Sequence, residues 1–282
     1  MKLKKLAALA MACITAVTAA SLAGCNQNQG DTGTDESWNK VSEAGKLVLG
    51  LDDAFPPMGF RDPESGEIVG FDIDVATEVC NRLGLELVLQ PVDWNTKTAE
   101  LDNGNVDCLW NGMSKTDELD EQLNLSEPYM KNNQVILVNK DSDYKTKEDL
   151  AGKSLGVQAG SSAEVALNKD TEFKDSLGEV VALEDYALAI LEIQNGTVDA
   201  VAIDEVVARY YLSTQPDAFR ILGEAEGEVI SMASEEYVIG FRKNDEALKT
   251  KIEDTLKEMA EDGKLAEISQ KWFAEDVTVI GE

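Results

Sequence analysis

The chain of 282 residues carries 25 Lys and Arg side chains against 54 Asp and Glu, a formal charge of −29, and it contains no histidine. This charge repels both a phosphate backbone and an anionic membrane surface, so we expect no nucleic-acid partner and membrane contact only through an anchor. The absence of imidazole excludes Ser-His-Asp and Cys-His catalysis and histidine-based zinc motifs. A chain of this length is enough for two domains of roughly 100–150 residues each.

The first 25 residues follow the order of a lipoprotein signal. Three lysines in the first five residues precede an apolar stretch over residues 6–22, which is short for a membrane span and typical of a signal-peptide core. The stretch ends in LAGC, which resembles the bacterial lipobox and its lipidated cysteine. We expect a signal peptide over residues 1–24, and a lipid on Cys25 with a flexible tether over residues 25–45. The alternative is an ordinary secretory signal with a chance cysteine.

The elements predicted after the tether alternate between strands and helices. Residues 46–50 have the pattern of a short buried strand, and residues 60–71 that of a β-hairpin. A helix follows, with Asp72 as its predicted N-cap and Gly84 at its end, and residues 85–89 form the next predicted strand. This alternation predicts an α/β architecture with mostly parallel sheets.

An internal repeat suggests two lobes of similar design. Residues 93–108 and 185–200 are identical at six of sixteen positions at an offset of 92 residues. Each copy predicts a helix, an Asn-Gly stop and a strand, with the strands over residues 106–110 and 198–202. Because ligands bind beyond the carboxyl ends of strands in open α/β sheets, we expect both strand ends to line one cleft. The alternative is a chance recurrence of a helix stop and a strand start.

Two cysteines remain beyond the predicted signal and lipid site. Cys80 lies on the apolar face of the predicted helix, and Cys108 lies inside a predicted strand. In an exported protein such a pair could form a disulfide. Two buried thiols are the alternative, and the sequence leaves both open.

Several motifs carry a resemblance to a known family. GFDIDVATEV at residues 70–79 and LAGKSLGVQAGSSAE at residues 150–164, in this order, are specific to it. Over nearly all of residues 46–275 the chain resembles the polar amino-acid-binding lipoproteins of bacterial ABC importers, which are relatives of the histidine-, lysine/arginine/ornithine- and glutamine-binding proteins.

The resemblance implies a fold and a domain organisation. The fold would be α/β, the two-lobed periplasmic-binding-protein (type II) fold, in which two mixed, mostly parallel sheets are joined by two hinge strands. Lobe 1 would comprise residues 46–131 and the return over residues 237–282, and lobe 2 would comprise residues 132–236. The hinge strands would lie near residues 130–138 and 235–241.

The function implied is that of a receptor and not of an enzyme. Outside the cytoplasmic membrane, lobe closure would capture a polar amino acid, amino-acid-like solute or amine and deliver it to an ABC permease in the membrane. We expect no cofactor, no metal and no covalent chemistry. The alternatives are a solute-sensing lipoprotein that serves no permease, and a dehydratase-type enzyme on the same scaffold.

Ten ligand-binding residues follow from the resemblance: Asp52, Phe55, Trp94, Asn111, Gly112, Ser114, Gln158, Ser161, Ser162 and Asp204. Phe55 would stack on an apolar or planar part of the ligand, and Trp94 would pack on its side chain. Asp52 would face a cationic side chain, and Gln158 lies where relatives tune specificity. A core phenylalanine and a turn-capping aspartate are the alternatives for Phe55 and Asp52, and Trp110 in the predicted strand is more typical of a core residue.

The remaining residues would hold the amino-acid backbone of the ligand. The loop with Asn111, Gly112 and Ser114 would bind its α-carboxylate and ammonium, and the turn with Ser161 and Ser162 would meet a carboxylate at a helix N-terminus. Asp204 would grip the α-ammonium. Helix N-capping is the alternative for Ser162 and Asp204.

One position departs from the family pattern. The family has T-x-x-R, whose arginine forks onto the α-carboxylate of the ligand, whereas this chain has Thr116 followed three residues later by Leu119. Losing a charge-assisted hydrogen bond costs roughly 1.5–3 kcal/mol. Either the ligand lacks an α-carboxylate, or another cation such as Lys115 substitutes, or binding is weak. The remaining residues also suit a cationic amine or a modified amino acid.

Overall fold

The computed structural model describes residues 35–281, which form helices and strands in alternation. The α-helices are α1 Ser37–Ala44, α2 Phe71–Leu83, α3 Lys97–Asp102, α4 Asp117–Gln122, α5 Ser162–Lys169, α6 Thr171–Ser176, α7 Tyr186–Asn195, α8 Glu205–Thr214, α9 Glu246–Glu261 and α10 Lys264–Phe273. The strands are β1 Lys46–Leu51, β2 Ala54–Phe55, β3 Gly59–Arg61, β4 Ile68–Val69, β5 Glu86–Pro91, β6 Cys108–Leu109, β7 Asn124–Leu125, β8 Met130–Asn139, β9 Ser154–Gln158, β10 Glu179–Leu183, β11 Ala200–Asp204, β12 Phe219–Ile221, β13 Ser231–Tyr237 and β14 Gly240–Phe241.

The first lobe is built on a five-stranded sheet with the order β5-β1-β6-β14-β7. β1 pairs in parallel with β5 and β6, and the last two pairings of the sheet are antiparallel. Leu47, Leu49 and Leu51 of β1 are fully buried, as expected for a central strand covered by helices on both faces. A separate small sheet, β2-β3-β4, contains the predicted hairpin of residues 60–71.

The second lobe repeats this plan on a larger sheet. β9 lies between β10 and β11, and both pairings are parallel. The long strand β8 then pairs antiparallel with β11, β12 and β13. The expected parallel pairing therefore holds where helices connect the strands. Antiparallel pairing prevails where the chain crosses between the lobes, because strands running in opposite directions make the two crossings.

These crossings form the predicted pair of hinge strands. The chain leaves β7 of the first sheet for β8 of the second, and returns from β13 to β14. Met130 lies opposite Tyr237 and Asn132 opposite Glu235 in the β8–β13 register. The two-lobed α/β fold is thus the one that the sequence predicted.

The two copies of the internal repeat occupy equivalent places. The helices α3 and α7 each precede a strand that pairs in parallel with an earlier strand of its own lobe, β6 with β1 and β11 with β9. Gly104 and Gly196 follow those helices with φ of +76° and +72°, the left-handed conformation that an Asn-Gly stop supplies. β6 and β11 differ from the predicted strands, since β6 has only two residues and β11 lies two residues further along, at Ala200–Asp204.

The N-cap predicted for the first long helix is wrong. Helix α2 begins at Phe71 with Gly70 as its cap, and Gly84 ends it as expected. The Asp72 side chain is fully buried and accepts hydrogen bonds from the Gly112 N–H (2.7 Å) and the Tyr129 hydroxyl (2.9 Å). The Asp72 carboxylate therefore bonds to Gly112 and Tyr129, which are distant in sequence, and not to the backbone at the start of its own helix.

Part of the predicted flexible tether is also helical. Residues 37–44 form α1, whose Val41 is buried and whose Trp38 packs on the core, and α1 lies against α9. Two apolar side chains three residues apart supply the stripe that holds a short helix on the domain. The predicted signal peptide over residues 1–24 and the lipid on Cys25 lie outside the described residues.

Two further features concern membrane contact and the cysteines. Over residues 35–281 no helix has the length and apolar character to cross a membrane. Cys80 and Cys108 are free and buried, which confirms the buried-thiol alternative. Burial raises the pKa of the Cys80 thiol to about 11.

Candidate functional site

A cavity of about 350 Å³ contains most of the predicted ligand-binding residues. Both lobes contribute to its walls, which include the loop after β6, the turn after β9 and the end of β11. Eight of the ten predicted residues line it: Phe55, Trp94, Gly112, Ser114, Gln158, Ser161, Ser162 and Asp204. Asp52 instead lines an adjoining cavity of about 220 Å³, and the buried Asn111 donates a hydrogen bond to the Asp52 carbonyl.

Asp204 is a buried carboxylate at the end of β11. Its Oδ1 accepts hydrogen bonds from Asn132 Nδ2 (2.7 Å) and the Tyr237 hydroxyl (2.8 Å), and its Oδ2 accepts one from the Tyr186 hydroxyl (3.1 Å). Burial and then the charge of Glu235 raise the pKa of Asp204 to about 7. Although Asp204 precedes α8, its side chain makes no capping hydrogen bond. The carboxylate is therefore fixed in place by three donors at the cavity wall.

The loop after β6 approaches the cavity through Gly112. The φ of this residue is +56°, and a Cβ there would lie 2.6 Å from Cε1 of Phe55, so only glycine fits beside that ring. The Gly112 N–H points inward and donates to Asp72 and to Tyr129. This N–H, which the resemblance assigned to the ligand, is occupied within the protein.

In the serine turn, Ser161 caps helix α5 and Ser162 bonds to Glu235, and the predicted contact of both serines with a ligand stays a prediction. Ser161 is the N-cap of α5, where its Oγ accepts from the Glu164 N–H at 3.2 Å and donates to the Gln158 carbonyl at 2.8 Å. Ser162, for which capping was the alternative, donates its hydroxyl to Glu235 Oε2 at 2.9 Å. The helix terminus is therefore capped without Ser162, whose hydroxyl faces the hinge.

Gln158 and Lys97 each make a hydrogen bond between the lobes beside the cavity. Gln158 Nε2 donates to Asp52 Oδ2 at 2.6 Å, and Lys97 Nζ donates to the Gly160 carbonyl at 2.8 Å. Burial raises the pKa of Asp52 to about 6 and lowers that of Lys97 to about 8. Asp52 thus bonds across the lobes, and its predicted contact with a ligand side chain stays a prediction.

Sequence reasoning missed charged residues near the site, among them Lys97 and Glu235. Lys97 lines the cavity, and its Nζ also donates to the Trp94 carbonyl at 3.0 Å. Glu235 of β13 accepts from Ser114 as well as from Ser162. No local motif marks either residue, because β-strand pairing and lobe packing bring them to the site.

The structure also places Leu119, which stands where the family pattern has an arginine. Leu119 lines the cavity. Lys115, which the sequence suggested as a substitute, is exposed and lies 3.7 Å from Asp120 at the surface. It is not among the cavity-lining residues. The cation that the fold brings to this cavity is Lys97.

Comparison with known proteins identifies relatives over most of the chain. The family model for bacterial extracellular solute-binding proteins, family 3, matches residues 47–275. The L-cystine-binding protein TcyJ of Escherichia coli (strain K12) is 31% identical over 85% of this chain and 87% of its own length. The arginine-binding extracellular protein ArtP of Bacillus subtilis (strain 168) is 32% identical over 84% of this chain and 90% of its own.

A solved structure has the same fold. It is an ABC uptake transporter substrate binding protein from Streptococcus pneumoniae with bound histidine, which superposes with a TM-score of 0.82. The two sequences are 37% identical, and the match covers 88% of this chain and all of that one.

Proposed function

Because the chain belongs to the bacterial extracellular solute-binding proteins, family 3, we propose that it is the receptor of an ABC importer. It captures a polar amino acid or amino-acid-like solute by closing its two lobes and delivers that solute to a membrane permease. Relatives that bind cystine, arginine or histidine support this class of ligand.

The observation that carries the proposal is the placement of Asp204. Its carboxylate lies 2% exposed at the cavity wall, with three hydrogen-bond donors holding it in one orientation. A fixed buried carboxylate is the partner that an ammonium group requires in a closed cleft. Phe55 and Trp94 supply the apolar surface for the rest of the solute.

The experiment is a binding panel on the purified domain. Calorimetry and thermal unfolding with the proteinogenic amino acids and simple amines should reveal at least one solute that raises the unfolding temperature and dissociates unchanged. Silence across the whole panel, or chemical conversion of the bound solute, contradicts the proposal. Loss of uptake of that solute in cells without the receptor would support the permease step.

We also propose that a lipid on Cys25 anchors the mature protein on the extracytoplasmic side of the membrane. The order of basic start, apolar core and LAGC supports this anchor. A Cys25→Ser variant should move from the membrane fraction to the medium or remain as uncleaved precursor. Cys13→Ser, inside the predicted signal, is the matched control and should stay in the membrane fraction. Unchanged membrane association of Cys25→Ser contradicts the anchor.

A further inference from the structure

Glu235 connects both lobes at the hinge edge of the site. Its Oε2 accepts hydrogen bonds from Ser114 Oγ of the first lobe (2.6 Å) and from Ser162 Oγ of the second lobe (2.9 Å). Gln134 Nε2 of β8 donates to the same oxygen at 3.0 Å. One carboxylate of the protein itself therefore occupies both hydroxyls that the resemblance assigns to a ligand carboxylate.

This arrangement changes what the site can donate. A serine hydroxyl has one proton, so Ser114 and Ser162 cannot also donate to a ligand carboxylate while they donate to Glu235. The Gly112 N–H is occupied by Asp72 and Tyr129. Three donors suited to an α-carboxylate are thus used within the protein. Ser162 Oγ also accepts a hydrogen bond from Gln134 Nε2 at 3.1 Å.

Among the described residues near the site, the buried side-chain atoms without a hydrogen-bond partner are acceptors, except for Trp110 Nε1. Three buried amide side chains each donate an N–H to a carboxylate. The pairs are Asn132 with Asp204, Gln134 with Glu235, and Gln158 with Asp52. Those bonds fix the orientation of each amide, because its oxygen would be repelled by the carboxylate. Within the described residues, Asn132 Oδ1, Gln134 Oε1 and Gln158 Oε1 have no hydrogen-bond partner. Buried acceptors of this kind favour a ligand rich in N–H donors.

The charges in the site point the same way. The negative charge of Glu235 adds to burial in raising the pKa of Asp204, so a cation beside both carboxylates would relieve their repulsion. Lys97 is the only cation among the described residues that line the 350 Å³ cavity, and its Nζ already donates to the Trp94 and Gly160 carbonyls. Glu235 itself faces an adjoining cavity of about 690 Å³, whose walls include Lys115, Lys131 and Lys169. No arginine among those residues offers a carboxylate the bidentate contact it would prefer.

We propose that Glu235 is a resident carboxylate that determines specificity, directing this site to ammonium-bearing solutes that lack an α-carboxylate. The inference rests on the proposed receptor function and names its substrate class as amines. Glu235 takes the place of the ligand carboxylate between the two serines, and the amine places its N–H groups against Asp204 and the Gln158 amide oxygen, whose residues line the cavity. An α-carboxylate in the same position would meet Glu235 and be repelled.

The test compares each amino acid with its decarboxylated amine. Calorimetry on the full mature chain uses the pairs arginine and agmatine, lysine and cadaverine, and histidine and histamine. In at least one pair the amine should bind about tenfold or more tightly than the amino acid, which corresponds to about 1.4 kcal/mol. Equal or tighter binding of the amino acid in every pair that binds overturns this inference and leaves the receptor proposal standing. Absence of binding by both members of all pairs overturns the amine class, and the wider solute panel then decides the receptor proposal separately.

Variants of Glu235 test the residue itself. Glu235→Ala releases the Ser114 and Ser162 hydroxyls, so the ratio of amine to amino-acid affinity should fall about tenfold. Glu235→Gln keeps the size of the side chain and should shift the ratio in the same direction. It replaces the alanine variant as the test if that variant does not fold. Glu236→Ala, an exposed neighbour on the same strand, is the matched control and should leave the ratio unchanged. An unchanged ratio in folded Glu235 variants overturns the assignment, because a purely structural residue would alter both affinities alike.

Discussion

The two copies of the internal repeat build the same scaffold in the two lobes. The Val48 N–H donates to Asp107 Oδ2 at 2.9 Å in the first lobe, and the Ser154 N–H donates to Asp199 Oδ2 at 2.9 Å in the second. In return, the N–H groups of Asp107 and Asp199 donate to the Val48 and Ser154 carbonyls. Asp107 and Asp199 thus each tie the strand that follows them to an earlier strand of the same lobe.

The copies differ at the point where the strand ends. β6 stops after two residues and the chain turns at Gly112, bringing backbone and the Phe55 ring together. β11 continues for five residues and ends at the carboxylate of Asp204. The shared motif sets the position of the strand, and the residues after the strand determine what the cavity receives.

The largest expected effect is a loss of ligand affinity on changing Asp204, at the end of the second copy's strand β11. Asp204→Asn keeps the side-chain shape and removes the charge that we propose faces the ammonium group of the solute. A lost charge-assisted hydrogen bond of about 1.5–3 kcal/mol corresponds to a loss of affinity of roughly 10- to 150-fold. Calorimetry with a solute from the panel measures this loss. Asp217→Asn, whose side chain is fully exposed in the same lobe, should bind like the parent. Parental affinity in Asp204→Asn would remove the carboxylate from the binding site.

At the end of the first copy, Asp72 beside Gly112 should make the free energy of unfolding depend on pH. Burial raises the pKa of Asp72, beside Gly112, to about 7 from an ordinary value of 3.8. The folded state therefore binds more protons than the unfolded state across this window, and this group contributes less stability as the pH rises through it. The free energy of unfolding of the parent relative to Asp72→Asn should fall by up to about 1.4 kcal/mol per pH unit between about pH 4 and pH 7. Urea unfolding at several pH values measures it, and a difference that rises with pH contradicts the expectation.

Two glycines of the first copy separate backbone conformation from contact. Gly104→Ala places a left-handed alanine in open space, which should cost about 1–2 kcal/mol. Gly112→Ala adds the overlap with Phe55 and should cost a further 1–3 kcal/mol or so. It should also weaken solute binding, because Phe55 lines the cavity. Thermal unfolding and calorimetry of both variants measure the difference, and equal destabilisation with parental binding would show that the Phe55 contact has no role.

The smallest effect concerns the matched aspartates. Asp107→Asn and Asp199→Asn each weaken one hydrogen bond to a backbone N–H, so each should lower the free energy of unfolding by about 1–2 kcal/mol without altering ligand preference. Urea unfolding of the two variants under the same conditions compares them. If one variant loses much more free energy of unfolding than the other, the two aspartates do not contribute equally to stability despite their matching positions.

Local sequence signals predicted what depends on neighbouring residues. The glycine stops at Gly84, Gly104 and Gly196, the hairpin over residues 60–71 and the buried strand β1 follow from turn chemistry and apolar patterning. The same reasoning failed at Asp72 and at residues 37–44. A side chain that caps a helix can equally turn to a distant partner, and a short amphipathic helix forms once a surface such as α9 is available.

By itself the sequence determined the alternation of elements, the repeated unit and the presence of a carboxylate at the end of β11, because these depend on residues close together in the chain. Only the tertiary structure decided which groups share the site. Ser114 and Glu235 are 121 residues apart in sequence, and Gln158 and Asp52 are 106 apart. Strand register and lobe packing bring such pairs into hydrogen-bond contact. Burial then strengthens their electrostatic interactions and makes an unpaired polar group costly, so these contacts limit which ligands can bind.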